Sequence, residues 1–352
     1  MNVTSRVNEI SPYNVGERFN LPDDWLYCDW NESLFPPTPK VQEHILSFIE
    51  NSKLQNYPDI SNKELLNHLS NYTGLPTEYI EVYNGSDDAL KDIFCTFVDE
   101  TKSVLTYQPT YSQVDTFIET NTKLYTKVPI INPLGNHEYN FSDTLDNKYD
   151  VVYLVNPNNP TGKLIPVEIL ESIIEEYSST LFIVDEAYFE YSNITCSNLV
   201  RWYDNVLITR TFSKAFGLAS LRLGYVLGSP DTLNGMRKIK NGKSVNALAQ
   251  VAGIACLEDL DYLNSCVKET LSSTKFFTEE VNKIEGYHAL ESKTNFVLIK
   301  VPDVEEFKNL MESNNILIRD RSYLENLDNC VRINFGSKEL TKRILDIVKG
   351  QN

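Results

Sequence analysis

A lysine in the middle of the chain stands in a setting that suits nucleophilic chemistry. Lys214 lies in the run Thr-Phe-Ser-Lys-Ala-Phe-Gly (211–217), which follows a short apolar run (206–208) that predicts a buried strand. A lysine enclosed by protein loses its charge readily, and its neutral amine can form a Schiff base. Taken alone, an ordinary surface lysine is the better interpretation, so the prediction depends on the residues that accompany it.

An acidic and an amide side chain follow two other predicted strands. Asp185 comes directly after the apolar run 181–184, and Asn159 lies in the loop Asn-Pro-Asn-Asn-Pro-Thr-Gly (156–162) after the run 151–155. A carboxylate at the carboxyl end of a parallel strand faces the crevice where α/β proteins bind ligands. A buried carboxylate needs a cationic partner to stay ionised, and a protonated pyridine nitrogen would supply one. The plainer alternatives are a helix cap for Asp185 and a simple turn for the loop.

Two further segments carry groups that bind anions. Ser86 and Asp87 follow Asn-Gly at the start of a predicted helix (86–97), where backbone amides form an anion site. Arg222 offers forked donors that suit a phosphate. Each has a plainer interpretation when taken alone, namely an N-cap for the first segment and a surface ion pair for the arginine.

The order of these elements along the chain is more informative than any one of them. Gly-Ser-Asp (85–87), Asn-Pro-Thr-Gly (159–162), Asp-x-x-Tyr (185–188), Ser-Lys (213–214) and Arg222 follow one another in this sequence. This set resembles the fold-type I aminotransferases, which use pyridoxal 5′-phosphate (PLP). Within them it looks most like the histidinol-phosphate aminotransferase subgroup. The resemblance extends over nearly the whole chain, from about Tyr13 to the last predicted helix.

The resemblance implies a PLP site with three catalytic residues, Lys214, Asp185 and Tyr188. Lys214 is expected to bind PLP covalently as a Schiff base, and Asp185 to pair with the ring nitrogen. Tyr188 and Asn159 are expected to hydrogen-bond the ring hydroxyl, and Tyr111 to stack on the ring; without the family, a core aromatic is as good an interpretation of Tyr111. The remaining cofactor residues contact the phosphate, the last of them from the other subunit of a homodimer: Ser86, Asp87, Ser213, Arg222 and Tyr57.

Substrate contacts follow from the same resemblance. Arg332, in Cys-Val-Arg-Ile-Asn (330–334), matches the arginine that binds the substrate α-carboxylate, and bidentate geometry suits that task. Tyr13 and Arg319 match contacts to a substrate phosphate. Arg321 is close by and has no clear counterpart, so that a solvated residue is its plainer interpretation. Asn31 belongs to a segment that lies over the substrate pocket in the family.

That segment departs from the usual pattern. The family has Asn-Glu-Asn-Pro followed by Gly, whereas this chain has Asp-Trp-Asn-Glu-Ser-Leu-Phe-Pro-Pro (29–37). The bulky Trp30 and Phe35 could narrow the pocket for a substrate smaller than histidinol phosphate. A phosphorylated three-carbon compound, such as dihydroxyacetone phosphate converted to serinol phosphate, is one such substrate.

The sequence is therefore compatible with three functions. The first is a PLP-dependent aminotransferase that uses glutamate as amino donor and a small phosphorylated keto compound as acceptor. The second is a PLP-dependent decarboxylase of phosphothreonine or phosphoserine on the same scaffold. The third is a non-catalytic protein that retains only the fold, which the presence of Lys214, Asp185 and Arg222 argues against.

The elements that must position these residues alternate in type. Short apolar runs separated by helical patterns predict an α/β fold, with a large domain whose mostly parallel sheet is flanked by helices. The predicted domains are an N-terminal arm (1–40) that covers the active site, a large PLP-binding domain (41–245) and a small α+β domain (246–352). The fourth predicted strand of the large sheet spans residues 222–227.

Composition excludes several other classes of function. The formal charge of −17 argues against nucleic acid and anionic membranes as partners, and no apolar run is long enough for a membrane span. Six scattered cysteines favour free thiols in a cytoplasmic protein. The four histidines lie far apart, which argues against a zinc site.

Overall fold

The computed structural model describes residues 5–10, 18, 22, 24–51, 54–145 and 149–350. Its strands are β1 (Leu26–Tyr27), β2 (Ile80–Tyr83), β3 (Val104–Gln108), β4 (Tyr125–Pro129), β5 (Val151–Val155), β6 (Leu181–Asp185), β7 (Val206–Thr211), β8 (Gly224–Gly228), β9 (His288–Ala289), β10 (Phe296–Lys300), β11 (Ile316–Leu317), β12 (Arg319–Asp320) and β13 (Cys330–Asn334). Its α-helices are α1 (Ser5–Asn8), α2 (Pro39–Asn51), α3 (Lys63–Thr73), α4 (Ser86–Phe97), α5 (Gln113–Glu119), α6 (Phe141–Thr144), α7 (Val167–Glu176), α8 (Phe189–Ser192), α9 (Pro230–Arg237), α10 (Ala247–Leu257), α11 (Leu260–Val281), α12 (Val304–Glu312) and α13 (Lys338–Val348).

Seven strands form the larger sheet, in the order β2-β8-β7-β6-β5-β3-β4. From β4 to β7 all neighbours are parallel, as expected for strands joined through helices that cross over the sheet. The apolar residues of β5 and β6 alternate between two buried clusters, one on each face of the sheet. The predicted α/β fold with a mostly parallel sheet is therefore confirmed.

The last two strands of this sheet run the other way. β8 pairs antiparallel with β7, and β2 pairs antiparallel with β8. The strand predicted at 222–227 is thus present, at residues 224–228, and is antiparallel to both of its neighbours. The connection 212–223 contains only a short 3-10 helix (Ala219–Leu221), so the chain stays at the carboxyl end of β7 and turns back along it.

A second, four-stranded sheet forms near the C-terminus, in the order β12-β13-β10-β9, and its neighbours are all antiparallel. It has its own buried apolar cluster, to which α11, α12 and α13 contribute. Strand β1 pairs in parallel with β11, which ties the segment before residue 40 to this part of the molecule. This agrees with the predicted small α+β fold of the C-terminal region.

Helix α11 connects the two apolar cores. Leu263 and Val267 belong to the core of the larger sheet, whereas Phe277 and Val281 belong to the core of the smaller one. Helix α10 packs wholly with the first core, against α2 and α3. The domain bounds expected from the sequence stay a prediction, and by packing alone the change of core falls within α11. Across the described residues, every helix is too short or too polar to cross a membrane.

Candidate active site

A cavity of about 470 Å³ opens between the two sheets. Its floor is the carboxyl edge of the parallel strands, its far wall is the smaller sheet, and residues 30–32 of the N-terminal arm cover it. Twelve of the residues predicted from the sequence line this cavity together: Asn31, Ser86, Asp87, Tyr111, Asn159, Asp185, Tyr188, Ser213, Lys214, Arg222, Arg319 and Arg332.

Lys214 lies in the connection that follows β7, and its amine faces the cavity. Its Nζ donates a hydrogen bond to the backbone carbonyl of Trp30 (2.8 Å). Burial lowers the pKa of this lysine to about 8, and the positive charges of Arg332 and Arg222 act in the same direction. A substantial fraction of the amine is therefore neutral near physiological pH, which is the state that a nucleophile or general base requires.

Asp185 ends β6 and is 3% exposed. Its carboxylate accepts a hydrogen bond from the hydroxyl of Tyr153 (2.8 Å) and another from the backbone N–H of Ala187 (3.1 Å). Burial raises the pKa of Asp185 to about 6, while these hydrogen bonds oppose the rise. A cation bound in the cavity beside this carboxylate would keep it ionised.

The start of α4 forms a compact anion cradle. Gly85 precedes the helix with φ +85°, and a Cβ there would lie 2.7 Å from Nη2 of Arg222. The Arg222 guanidinium donates to Oγ of Ser213 (3.2 Å) and to Oδ2 of Asp87 (3.1 Å). Tyr111 also donates, to Oδ1 of Asp87 (2.8 Å). The free amides of the helix start and the guanidinium together suit a phosphate.

The arm closes the cavity through its backbone. Asn31 has φ +56°, in the left-handed region that asparagine tolerates, and its Nδ2 donates to the hydroxyl of Tyr188 (2.9 Å). Buried Asn295 donates to the carbonyls of Asn31 (3.0 Å) and Glu32 (3.2 Å), and Asn334 also donates to the latter (3.1 Å). The arm is thus held in place by amides of the smaller sheet.

Arginines of the smaller sheet face the same cavity. Arg332, on β13, is 3% exposed; its Nη1 donates to Oδ1 of Asn159 (2.6 Å) and its Nη2 to the carbonyl of Asp29. Arg319, on β12, lies directly opposite Arg332 in the antiparallel ladder. Arg321 also lines the cavity and is 7% exposed, so the expectation of a solvated residue is wrong for it.

Two predicted residues are not part of this cavity in the described structure. Tyr57 is 77% exposed and lies outside the cavity lining, where Nζ of Lys243 stands 4.4 Å from the centroid of its ring. Its role therefore depends on a second subunit and stays a prediction. Tyr13 lies outside the described residues.

Tyr153 is the most informative residue that the sequence reasoning missed. It interrupts the otherwise aliphatic strand β5, and it pairs in register with Ile183, two residues before Asp185 on the neighbouring strand. A tyrosine within a fully buried strand signals a hydroxyl that needs a polar partner. Glu32, which also lines the cavity, is a second such residue. It forms an ion pair with Arg18, whose guanidinium carbon stands 4.4 Å from the ring centroid of Trp30.

These features fit PLP. A buried lysine with a lowered pKa, a buried carboxylate that needs a cation and an anion cradle face one cavity, which matches the aldehyde, ring nitrogen and phosphate of that cofactor. Residues 25–348 match the protein family described as aminotransferase class I and II. The chain belongs to this aminotransferase family. The predicted family is confirmed, and the protein is a PLP-dependent aminotransferase.

Relatives of this aminotransferase agree with the assignment. The dihydroxyacetone phosphate transaminase of Campylobacter jejuni is 32% identical, over 100% of this chain and 98% of the relative. The histidinol-phosphate aminotransferase of Methanocaldococcus jannaschii is 31% identical, over 93% and 89% of the two chains. The solved structure of histidinol-phosphate aminotransferase from Sinorhizobium meliloti in complex with PLP has a TM-score of 0.81 at 26% identity, covering 93% of this chain and 92% of the other.

Proposed function

We propose that this aminotransferase transfers an amino group from glutamate to a small phosphorylated keto compound, with dihydroxyacetone phosphate as the preferred acceptor. One observation carries the substrate class: the wall of the cavity opposite Lys214 presents Arg319, Arg321 and Arg332 on one sheet. These arginines suit the anionic groups of the two substrates, namely the carboxylate of the amino donor and the phosphate of the acceptor. The similarity to the Campylobacter jejuni transaminase supports the three-carbon acceptor.

The roles of the residues follow from their places in the cavity. When bound, PLP supplies an electron sink for the carbon that carries the amino group. Lys214 is proposed to hold PLP through a Schiff base at rest and, once displaced by substrate, to move the proton at that carbon as the general base. Its pKa of about 8 suits this task because the neutral amine is available near pH 7 to 8.

Asp185 and the groups around it are proposed to control the charge of the cofactor ring. The carboxylate would hold a proton on the ring nitrogen, since burial leaves it in need of a cation. Tyr188 and Asn159 would orient the ring hydroxyl, while Tyr111 would pack against the ring. Ser86, Asp87, Ser213 and Arg222 would bind the cofactor phosphate at the start of α4.

Arg332 is proposed to bind the α-carboxylate of the amino donor. It is buried and already held by Asn159 and by the arm carbonyl of Asp29, so its guanidinium is fixed before substrate arrives. A fixed bidentate donor orients a carboxylate at little entropic cost. Asn31 would contact substrate from the arm, and Arg319 would contact the phosphate.

A homodimer with shared active sites is part of this proposal. The exposed ring of Tyr57 and its exposed neighbours Leu54 (61%) and Ile60 (60%) form an apolar stretch that supports a subunit contact. From such a contact the tyrosine could reach the cofactor phosphate of the second copy. The cytoplasmic location expected from the sequence also remains a proposal.

A screen of keto acceptors with glutamate tests the proposed function. We expect turnover with dihydroxyacetone phosphate to exceed that with imidazole-acetol phosphate, and unphosphorylated dihydroxyacetone to be a poor acceptor. Preference for imidazole-acetol phosphate would replace the three-carbon substrate by the larger one. Release of carbon dioxide from phosphothreonine or phosphoserine, with no amino transfer, would contradict the aminotransferase assignment and support the decarboxylase alternative.

A further inference from the structure

The β12–β13 ladder gathers positive charge on one face. Arg319 and Arg332 are direct cross-strand neighbours. Arg321 follows two residues after Arg319, and its backbone N–H donates to the carbonyl of Cys330 (2.9 Å), which continues the antiparallel pairing. Because side chains two residues apart on a strand point to the same face, all three guanidiniums meet at the cavity, as its lining shows.

The ladder places two like charges directly opposite each other. Such charges repel, and an anion at this face of the ladder is attracted by both of them. The intervening Asp320 belongs to the other face, where its carboxylate accepts hydrogen bonds from the N–H and the hydroxyl of Ser322 (both 2.7 Å). The face that carries the three arginines is therefore the part of the cavity wall that suits an anionic group.

A hydrogen bond to a nearby tyrosine helps to position Arg321. Its Nη1 donates to the hydroxyl of Tyr323 (2.9 Å). It stands close enough to the cofactor side of the cavity for its charge, together with the larger effect of Arg332, to oppose the rise that burial causes in the pKa of Tyr188. The guanidinium of Arg321 is therefore directed at the reaction cavity and not at bulk solvent.

We propose that Arg321 is a specificity-determining residue that binds the substrate phosphate together with Arg319 and selects a doubly charged group over a singly charged one. The inference rests on the proposed function and assigns a role to a residue that has no clear counterpart in the family pattern. Arg332 is assigned to the α-carboxylate of the amino donor, which leaves Arg319 and Arg321 for the phosphate. Their two guanidiniums match the two charges that a phosphate monoester carries above its second pKa of about 6. A singly charged group of the same shape would leave one of them unmatched.

Direct binding to the PLP-loaded enzyme tests this proposal at pH 7.5. The probes are glycerol 3-phosphate, a dianion, and glycerol 3-sulfate, a monoanion of similar shape, with dissociation constants measured by calorimetry. We expect the wild type to bind the phosphate ester at least about 10-fold more tightly than the sulfate ester. Arg321→Gln should weaken binding of the phosphate ester by about 10- to 100-fold and the sulfate ester far less, so that the preference disappears.

Two further variants complete the test. Arg321→Lys keeps the charge without the fork, and it should retain a preference for the phosphate ester at reduced affinity. Arg343→Gln is the matched control, since Arg343 lies outside the cavity lining and donates to the carbonyl of Asn314 (2.9 Å); it should behave as the wild type. Visible absorbance of bound PLP and the melting temperature show that each variant is folded and loaded.

The outcomes separate this inference from the function on which it rests. A wild-type enzyme that binds neither ester and accepts unphosphorylated dihydroxyacetone equally well contradicts the proposed function itself. Suppose instead that the wild type needs the phosphate. The function then stands, and the role of Arg321 is overturned if Arg321→Gln keeps the wild-type preference for the phosphate ester. It is also overturned if Arg321→Lys loses that preference. Equal wild-type affinity for the two esters also overturns it.

Discussion

The two walls of the cavity are built by different kinds of sheet. On the larger sheet, Asp185 and Lys214 each follow the end of a separate parallel strand, and each acts within its own local motif. On the smaller sheet, Arg319 and Arg332 owe their proximity to the pairing of two antiparallel strands. The first wall gathers unlike groups with complementary charges, whereas the second gathers like charges.

The two walls therefore have different roles: the parallel wall suits the cofactor, and the antiparallel wall suits the substrate. The parallel wall carries the lysine, the carboxylate and the phosphate cradle that suit PLP, and these belong to motifs of three to seven residues. The antiparallel wall carries guanidiniums that suit an anionic substrate, and a change of register by one residue would turn each of them to the other face. We therefore expect damage to the first wall to abolish the chemistry with every substrate, and damage to the second to change substrate affinities.

Replacement of Lys214 is the most severe way to test the parallel wall. Lys214→Ala should lower kcat by more than about 10⁴-fold with every donor and acceptor, because the nucleophile and general base are both lost. Steady-state turnover with glutamate measures this, and the absorbance of the Schiff base should vanish. Lys293→Ala, at an exposed position, is the control. Turnover near the wild-type level in Lys214→Ala would refute the assignment.

Replacement of Arg332 tests the antiparallel wall. Arg332→Gln should raise KM for glutamate by about 100-fold, since a buried charged partner of the α-carboxylate is removed. The KM of an acceptor that carries no carboxylate should change much less, which separates the effect from general damage to the site. Arg343→Gln again serves as the matched control. Equal effects on donor and acceptor would contradict the division between the two walls.

The pH dependence of PLP binding to the apoenzyme reports the pKa of Lys214. Only the neutral amine attacks an aldehyde, and burial lowers the pKa of this lysine to about 8. The rate constant for PLP binding to the apoenzyme should therefore rise by about fivefold from pH 7 to 8, by about twofold from pH 8 to 9, and then level off. Stopped-flow absorbance between pH 7 and 9.5 measures the profile. A rate that still rises steeply beyond pH 9 would show an ordinary lysine pKa, near 10.4.

The smallest expected effect concerns Tyr153. Its hydroxyl donates to Asp185 and stabilises the charged carboxylate, so Tyr153→Phe should raise the pKa of Asp185 above about 6. The acidic limb of the kcat profile should then move upward by about one pH unit, with a loss of about threefold or less at pH 8. Tyr107→Phe removes a hydroxyl that forms a hydrogen bond with Thr144 of helix α6, away from Asp185, and its profile should not move. An unshifted limb in Tyr153→Phe would show that this hydroxyl does not tune the carboxylate.

Several elements could be predicted from local patterns alone. The strand at residues 151–155 and the helix at 86–97 have the predicted bounds, because a short aliphatic run and an amphipathic stripe are local signals. Strands β2, β3 and β4 were missed, since all three carry polar and aromatic residues within short runs. The direction of β8 was missed as well, because it depends on where the connection 212–223 lies and not on the composition of the strand.

The amino-acid sequence by itself determined the family, the cofactor and the residues of the parallel wall, because each of these is written in a contiguous motif with its own local geometry. Only the tertiary structure decided that Tyr153 bonds Asp185, that the arm carbonyls meet Lys214 and Arg332, and that Arg321 faces the cavity. Those contacts join residues far apart in the chain. Strand order and register bring them together, and the free energy that selects a register is spread over many buried side chains at once.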